Sequence, residues 1–130
     1  MLRIFEQTEE LFRAAADFIV EAGRHAMDDH GEFHFFLSGG RTPRNVYALL
    51  AEQLANDTDF WNATHLYWGD ERCVSLDNPA SNYRMACEAL INRVPIRPSH
   101  VHRMQGEDPD PQRAALWYEW VLPERPDLIL

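Results

Sequence analysis

Two short stretches of this chain carry residue types that can hold a small anion. The first is Phe35-Phe36-Leu37-Ser38-Gly39-Gly40-Arg41-Thr42-Pro43. An apolar run ends, two glycines let the backbone turn tightly, and Thr-Pro marks the start of a helix. Exposed amides and the positive end of a helix dipole at such a turn favour negative charge. An ordinary strand-to-helix turn that needs small residues has the same pattern. The second stretch is Tyr67-Trp68-Gly69-Asp70-Glu71-Arg72-Cys73-Val74. Its carboxylates can accept hydrogen bonds from sugar hydroxyls, and its guanidinium fork matches a phosphoryl group. The alternative is a solvated acidic loop with an internal Arg–carboxylate pair.

Each stretch follows an apolar run that reads as a strand, so both fall at the edge where open α/β sheets bind ligands. Arg41, Arg44, Arg72 and Arg84 lie in or beside them, a local positive concentration on an acidic chain. Asn78-Pro79-Ala80-Ser81-Asn82-Tyr83-Arg84 reads first as a capping signature. His100 and His102 share a strand face, but no cysteine or carboxylate is spaced to complete a ligand set, so the expectation is a structural role and no metal. Trp117, Tyr118 and Trp120 are interleaved with Glu119 on a predicted helix, where core packing and helix-surface contacts explain them better than base stacking does.

The elements that must position these residues alternate between strand and helix. Arg3 to Phe5 is a candidate short strand. Thr8 is a candidate N-cap, followed at helical spacing by Leu11, Ala15, Phe18, Ile19, Ala22 and Ala26. Phe33 to Leu37 is a predicted strand, Pro43 to Leu54 a helix, and Thr64 to Trp68 a second strand. Ser81 caps a helix through Ile91, with Met85, Ala86, Ala89 and Leu90 on its inner face. His100 to Met104 reads as a third strand, Asp110-Pro111 opens a helix to about Val121, and Leu128 to Leu130 begins a final strand. The pattern predicts one α/β domain over residues 1–130, a doubly wound, mostly parallel sheet with helices on both faces, incomplete at its C-terminus.

Composition narrows the chemistry. All twelve basic residues are arginine, so a lysine Schiff base, a pyridoxal phosphate linkage and a Walker A lysine are excluded. The net charge of −9 argues against generic nucleic-acid binding. The acids Glu6, Glu9, Glu10 and Asp17 interrupt any apolar N-terminal run, and neither a targeting segment nor a membrane span is expected. Cys73 and Cys87 form no framework, which fits a reduced compartment.

At these residues the chain resembles the 6-phosphogluconolactonase family. Four stretches carry the resemblance: Leu37 to Pro43, Trp68 to Val74, Ser81-Asn82-Tyr83, and Pro126 to Leu130. The Ser-Gly-Gly-x-Thr-Pro turn is shared with glucosamine-6-phosphate deaminases, whereas Asp-Glu-Arg-Cys-Val after a tryptophan is more specific. The resemblance implies the fold those deaminases share and hydrolysis of 6-phosphoglucono-δ-lactone to 6-phosphogluconate in the cytoplasm, without cofactor or metal. Carried over, Gly39, Gly40 and Thr42 line the substrate pocket, Arg72 contacts the ligand, and Asp70 and Glu71 shape the pocket. Ser38, Arg41 and Asn82 are further candidates for it.

In that family a strand matching Asp127 to Leu130 leads into Gly-Glu-Asp-Gly-His, whose histidine is the expected general base. It lies beyond Leu130, and none of His25, His30, His34, His65, His100 or His102 matches it. The expectation is therefore a substrate-binding part with little activity alone. The alternatives are a deaminase or isomerase relative using a carboxylate such as Asp70, or a non-catalytic sugar-phosphate-binding or assembly module. In the last case the apolar Leu128 to Leu130 edge would invite pairing with another chain.

Overall fold

A computed structural model describes residues 2–130. The chain opens with helix α1, Thr8–His30, which stops where Gly31 takes a left-handed conformation (φ 90°) and returns its amide to Met27 O. Strand β1, Phe33–Leu37, follows directly. Helix α2, Arg41–Gln53, and the short helix α3, Thr58–Ala63, lead to strand β2, Thr64–Trp68. Helix α4 spans Asn82–Ala89, α5 spans Pro111–Glu119, and strand β3 is Leu128–Ile129.

The three strands form one parallel sheet in the order β2-β1-β3. Phe33 pairs with Thr64 and Leu37 with Trp68, so β1 and β2 end at the same level. Alternation sends Phe33, Phe35 and Leu37 to one face of β1, where they join the core with Ala16 and Ile19 of α1, Val46 and Leu50 of α2, and Ala86 of α4. The opposite face carries His34, Phe36, His65 and Tyr67, and His34 and Tyr67 line a cavity there together with the chain after α5, from Val121 to Arg125. Among the described residues, no helix is long and apolar enough to cross a membrane.

Several expectations need correction. Arg3 to Phe5 is not a strand: Leu2 and Ile4 are more than four-fifths exposed and no strand pairs with them. His100 to Met104 is reduced to a single parallel bridge between Val101 and Leu66. The next pairing place on β2 is Trp68, whose amide and carbonyl are both bonded to the Tyr118 hydroxyl, so the ladder stops after Val101. The inner face of α1 is Ala16, Ile19, Gly23 and Ala26, whereas Leu11 and Phe18 stay partly in solvent. Helix α3 has no counterpart in the sequence reading. The Asp57 side chain caps its Phe60 amide, and Phe60 and Trp61 anchor it in the core.

Candidate functional site

The site is built where β1 and β2 end together. Past Leu37, Gly69 N donates to Leu37 O at 3.2 Å, which keeps the two exit loops side by side. Ser38 is held from beneath by Tyr47, which is fully buried on α2. The Tyr47 hydroxyl accepts from Ser38 N at 2.8 Å and donates to Ser38 O at 2.9 Å. Burial, only partly opposed by the bond from the Ser38 amide, raises the phenol pKa well above its ordinary value, so the hydroxyl keeps the proton it donates.

Gly40 has φ 109° and ψ 168°, a conformation that a side chain would strain, and it delivers the chain to α2. Among the described residues, no side chain caps the first turn of α2. Arg44 N returns to Gly40 O, and Asn45 Nδ2 donates to Arg41 O. Gly40, Arg41 and Thr42 are exposed at this helix start.

The second loop is fastened to α4. Asn82 is buried, and its side-chain amide donates to Asp70 O at 3.2 Å and more weakly to Asp70 Oδ1 at 3.4 Å. The same amide lies against the glycine turn: a Cβ on Gly39 would come 2.1 Å from Asn82 Oδ1. Asn82 therefore joins the Ser38–Gly40 turn to the Asp70–Arg72 loop.

Both Glu71 oxygens are taken. Oε1 accepts from Arg72 N at 2.7 Å and Asn82 N at 2.8 Å, and Oε2 accepts from Tyr83 N at 2.8 Å and Ser81 Oγ at 3.2 Å. Arg72 is exposed, and among the described residues no carboxylate lies within ion-pair distance of Arg72, Arg41 or Arg44. The internal Arg–carboxylate pair that could have explained this loop is not formed. Arg84, by contrast, is committed to Glu88 and to Asp77 O.

The structure thus brings Ser38, Gly39, Gly40, Arg41, Thr42, Asp70, Glu71, Arg72 and Asn82 to one rim. Sequence reasoning missed the residues behind it. Tyr47 and Gly106 belong here; a Cβ on Gly106 would come 2.3 Å from Arg72 O, so the chain backs the loop closely. Tyr118 of α5 also supports the site, its hydroxyl accepting from Trp68 N and donating to Trp68 O. Tyr47 falls on the inner stripe of α2, a signal for burial but not for its bonds. An apolar cavity of about 210 Å³ lies behind this loop, lined by Cys73, Met104, Ala114 and Tyr118 among others.

The histidines stand elsewhere. His34 and His65 pair across β1 and β2, three residues back from Leu37 and Trp68, which is about 10 Å along a strand. His65 Nδ1 lies 3.0 Å from His102 Nε2, and the His65 ring stacks on His100 with centroids 4.0 Å apart. His100 Nδ1 lies 3.1 Å from Thr64 O. Among the described residues, no group of three or more His, Cys, Asp or Glu is arranged to hold a metal ion. His25 and His30 are on α1.

Known proteins share this arrangement of sequence and fold. The family described as glucosamine-6-phosphate isomerases/6-phosphogluconolactonase matches residues 6–130. A 6-phosphogluconolactonase of Synechocystis sp. is 40% identical over 94 residues, 72% of this chain and 38% of that protein. One from Nostoc sp. is 37% identical over 109 residues, 84% of this chain and 44% of that protein. The crystal structure of a 6-phosphogluconolactonase from Thermotoga maritima superimposes with a TM-score of 0.75 at 32% identity, covering 84% of this chain and 48% of that one. The chain thus spans less than half the length of these relatives. With a match that runs through both loops, α4 and β3, this chain belongs to the glucosamine-6-phosphate isomerase/6-phosphogluconolactonase family.

Proposed function

We propose that this chain supplies the substrate-binding part of an enzyme that hydrolyses 6-phosphoglucono-δ-lactone to 6-phosphogluconate. The observation that carries the reading is the rim itself: a helix start without a side-chain cap and an unpaired arginine loop, joined through Asn82. In this reading the amides at the start of α2, with Arg41 and Arg72, receive the phosphoryl group. Asp70 accepts from the sugar hydroxyls, and Ser38, Gly39 and Thr42 line the pocket. Within a family that also holds glucosamine-6-phosphate isomerases, the similarity to proteins named 6-phosphogluconolactonase supports a lactone as the substrate.

In the reaction, water adds to the lactone carbonyl, the ring C–O bond breaks, and the ring oxygen leaves as a hydroxyl. A general base must take the proton from water. None of the six histidines stands at the rim, so that base belongs, on the family resemblance, to the histidine segment that follows a strand matching β3. The cytoplasm is the proposed setting, where the unpaired Cys73 and Cys87 would stay reduced.

The test is calorimetric binding of 6-phosphogluconate to this chain and to Arg72→Ala. Binding by the parent, weakened about 10- to 100-fold in the variant, is expected for loss of a charge-assisted bond. No binding by the parent chain would refute the reading. A lactonase assay, corrected for spontaneous hydrolysis, should give little turnover for the 130-residue chain and strong turnover for one extended through the family's histidine segment. Equal rates would show that the base is assigned wrongly.

A further inference from the structure

The geometry points to Glu71 as a positioning residue: its carboxylate straps the Asp70–Arg72 loop onto the start of α4 and does not itself bind the ligand. This rests on the lactonase reading for its functional meaning, but the strap is visible in the fold alone. A helix begins with backbone amides that have no partner within the helix. At α4 two of these, Asn82 N and Tyr83 N, donate to opposite oxygens of Glu71, each at 2.8 Å. A third, Arg84 N, donates to Ser81 Oγ, whose own proton goes to Glu71 Oε2. The start of α4 is therefore filled by a carboxylate of the chain itself, ten or more residues earlier in sequence.

Two consequences follow at the rim. The start of α4 has no free donors left for a phosphoryl group, so the ligand is directed to α2. Glu71 Oε1 also accepts from Arg72 N at 2.7 Å, which fixes the backbone at the residue whose guanidinium is unpaired. On the other side, Gly106 lies too close to Arg72 O to admit a Cβ. Arg72 is held between a strap and a backstop. Its side chain can then swing from a fixed base, which lowers the ordering cost of binding.

The experiment is amide hydrogen exchange on this chain and on Glu71→Gln, beside their affinities for 6-phosphogluconate. The glutamine keeps the size of the side chain, but its NH₂ faces amides that also donate. The expected result is exchange about tenfold faster or more at Arg72, Asn82 and Tyr83, with Phe35 and Leu37 unchanged, and 6-phosphogluconate bound about tenfold more weakly. Equal exchange in both proteins would overturn the proposal. So would uniform acceleration that includes Phe35 and Leu37, the mark of a purely structural role.

Undiminished affinity in a variant whose loop has loosened would also overturn it. If the parent chain binds no 6-phosphogluconate, the lactonase reading fails while the exchange pattern still decides for or against the strap. Should Glu71→Gln fail to fold, Glu71→Asp, a carboxylate one methylene too short to span to α4, must show the same loop-limited pattern.

Discussion

Asn82 and Tyr47 do at the scale of single residues what neither loop can do alone. The Asn82 amide fills the space where a Gly39 side chain would sit, so Gly39→Ala should push the two loops apart. The expected outcome is a stability loss of about 1–3 kcal/mol in urea denaturation and a matching loss of 6-phosphogluconate affinity. Tyr47→Phe removes one hydroxyl that serves both Ser38 N and Ser38 O. Leaving part-buried backbone groups without partners costs about 1–3 kcal/mol, and a denaturation midpoint equal to that of the parent would contradict the clamp. The glycine turn and Arg72 could be read from the sequence because small residues and a charge stand next to each other there. The bonds from Tyr47 could not, because nothing local links a tyrosine of α2 to a backbone nine residues earlier.

At the scale of elements, the histidine-bearing face of the sheet sets a response to acid. His65 is pushed down to about 4, first by burial and then by His100 and His102, with Glu32 opposing and His34 adding to the depression. His102 is lowered by burial, His100 and His34. A histidine whose folded pKa lies below its unfolded value binds fewer protons when folded. Its contribution is present above about pH 6.5 and is lost as pH falls toward 4. His65 is partly exposed, so solvent screening cuts the effect to about 1–2 kcal/mol.

Thermal melts should therefore fall between neutral pH and pH 4.5, and His65→Gln should flatten that slope; an unchanged slope would contradict the assignment. The carboxylates Asp57 and Glu107, lowered by their hydrogen bonds, lose their contribution only in stronger acid. The strands β1 and β2 were legible as short apolar runs between turn residues, and Ser81 and Asp110 marked the starts of α4 and α5. Helix α3 was not, since six residues are too few to show a period and its Asp57 cap resembles any polar loop residue. His100 to Met104 has the composition of a strand, yet it makes a single bridge because the Trp68 amide and carbonyl it would meet next are held by Tyr118 from far along the chain.

At the scale of the whole molecule, the parallel α/β plan was foreseen from alternation, while the strand order came only from pairings across the chain. With β3 outermost, Ile129 is 59% and Leu130 43% exposed, and Trp120 nearby in sequence is 85% exposed. An open apolar edge of this kind favours pairing with another strand. Sedimentation equilibrium on the 130-residue chain should show concentration-dependent dimers, and Ile129→Lys should suppress them; a monomer at the highest soluble concentration would refute this. The far side of β2 behaves differently. There Val101 bridges Leu66, His102 N donates to Leu66 O, and the Tyr118 hydroxyl satisfies both the amide and the carbonyl of Trp68. With one flank sealed by a phenol and the other open in the 130-residue chain, association edge to edge is expected to stop at a closed pair, and filaments in the sedimentation run would contradict this.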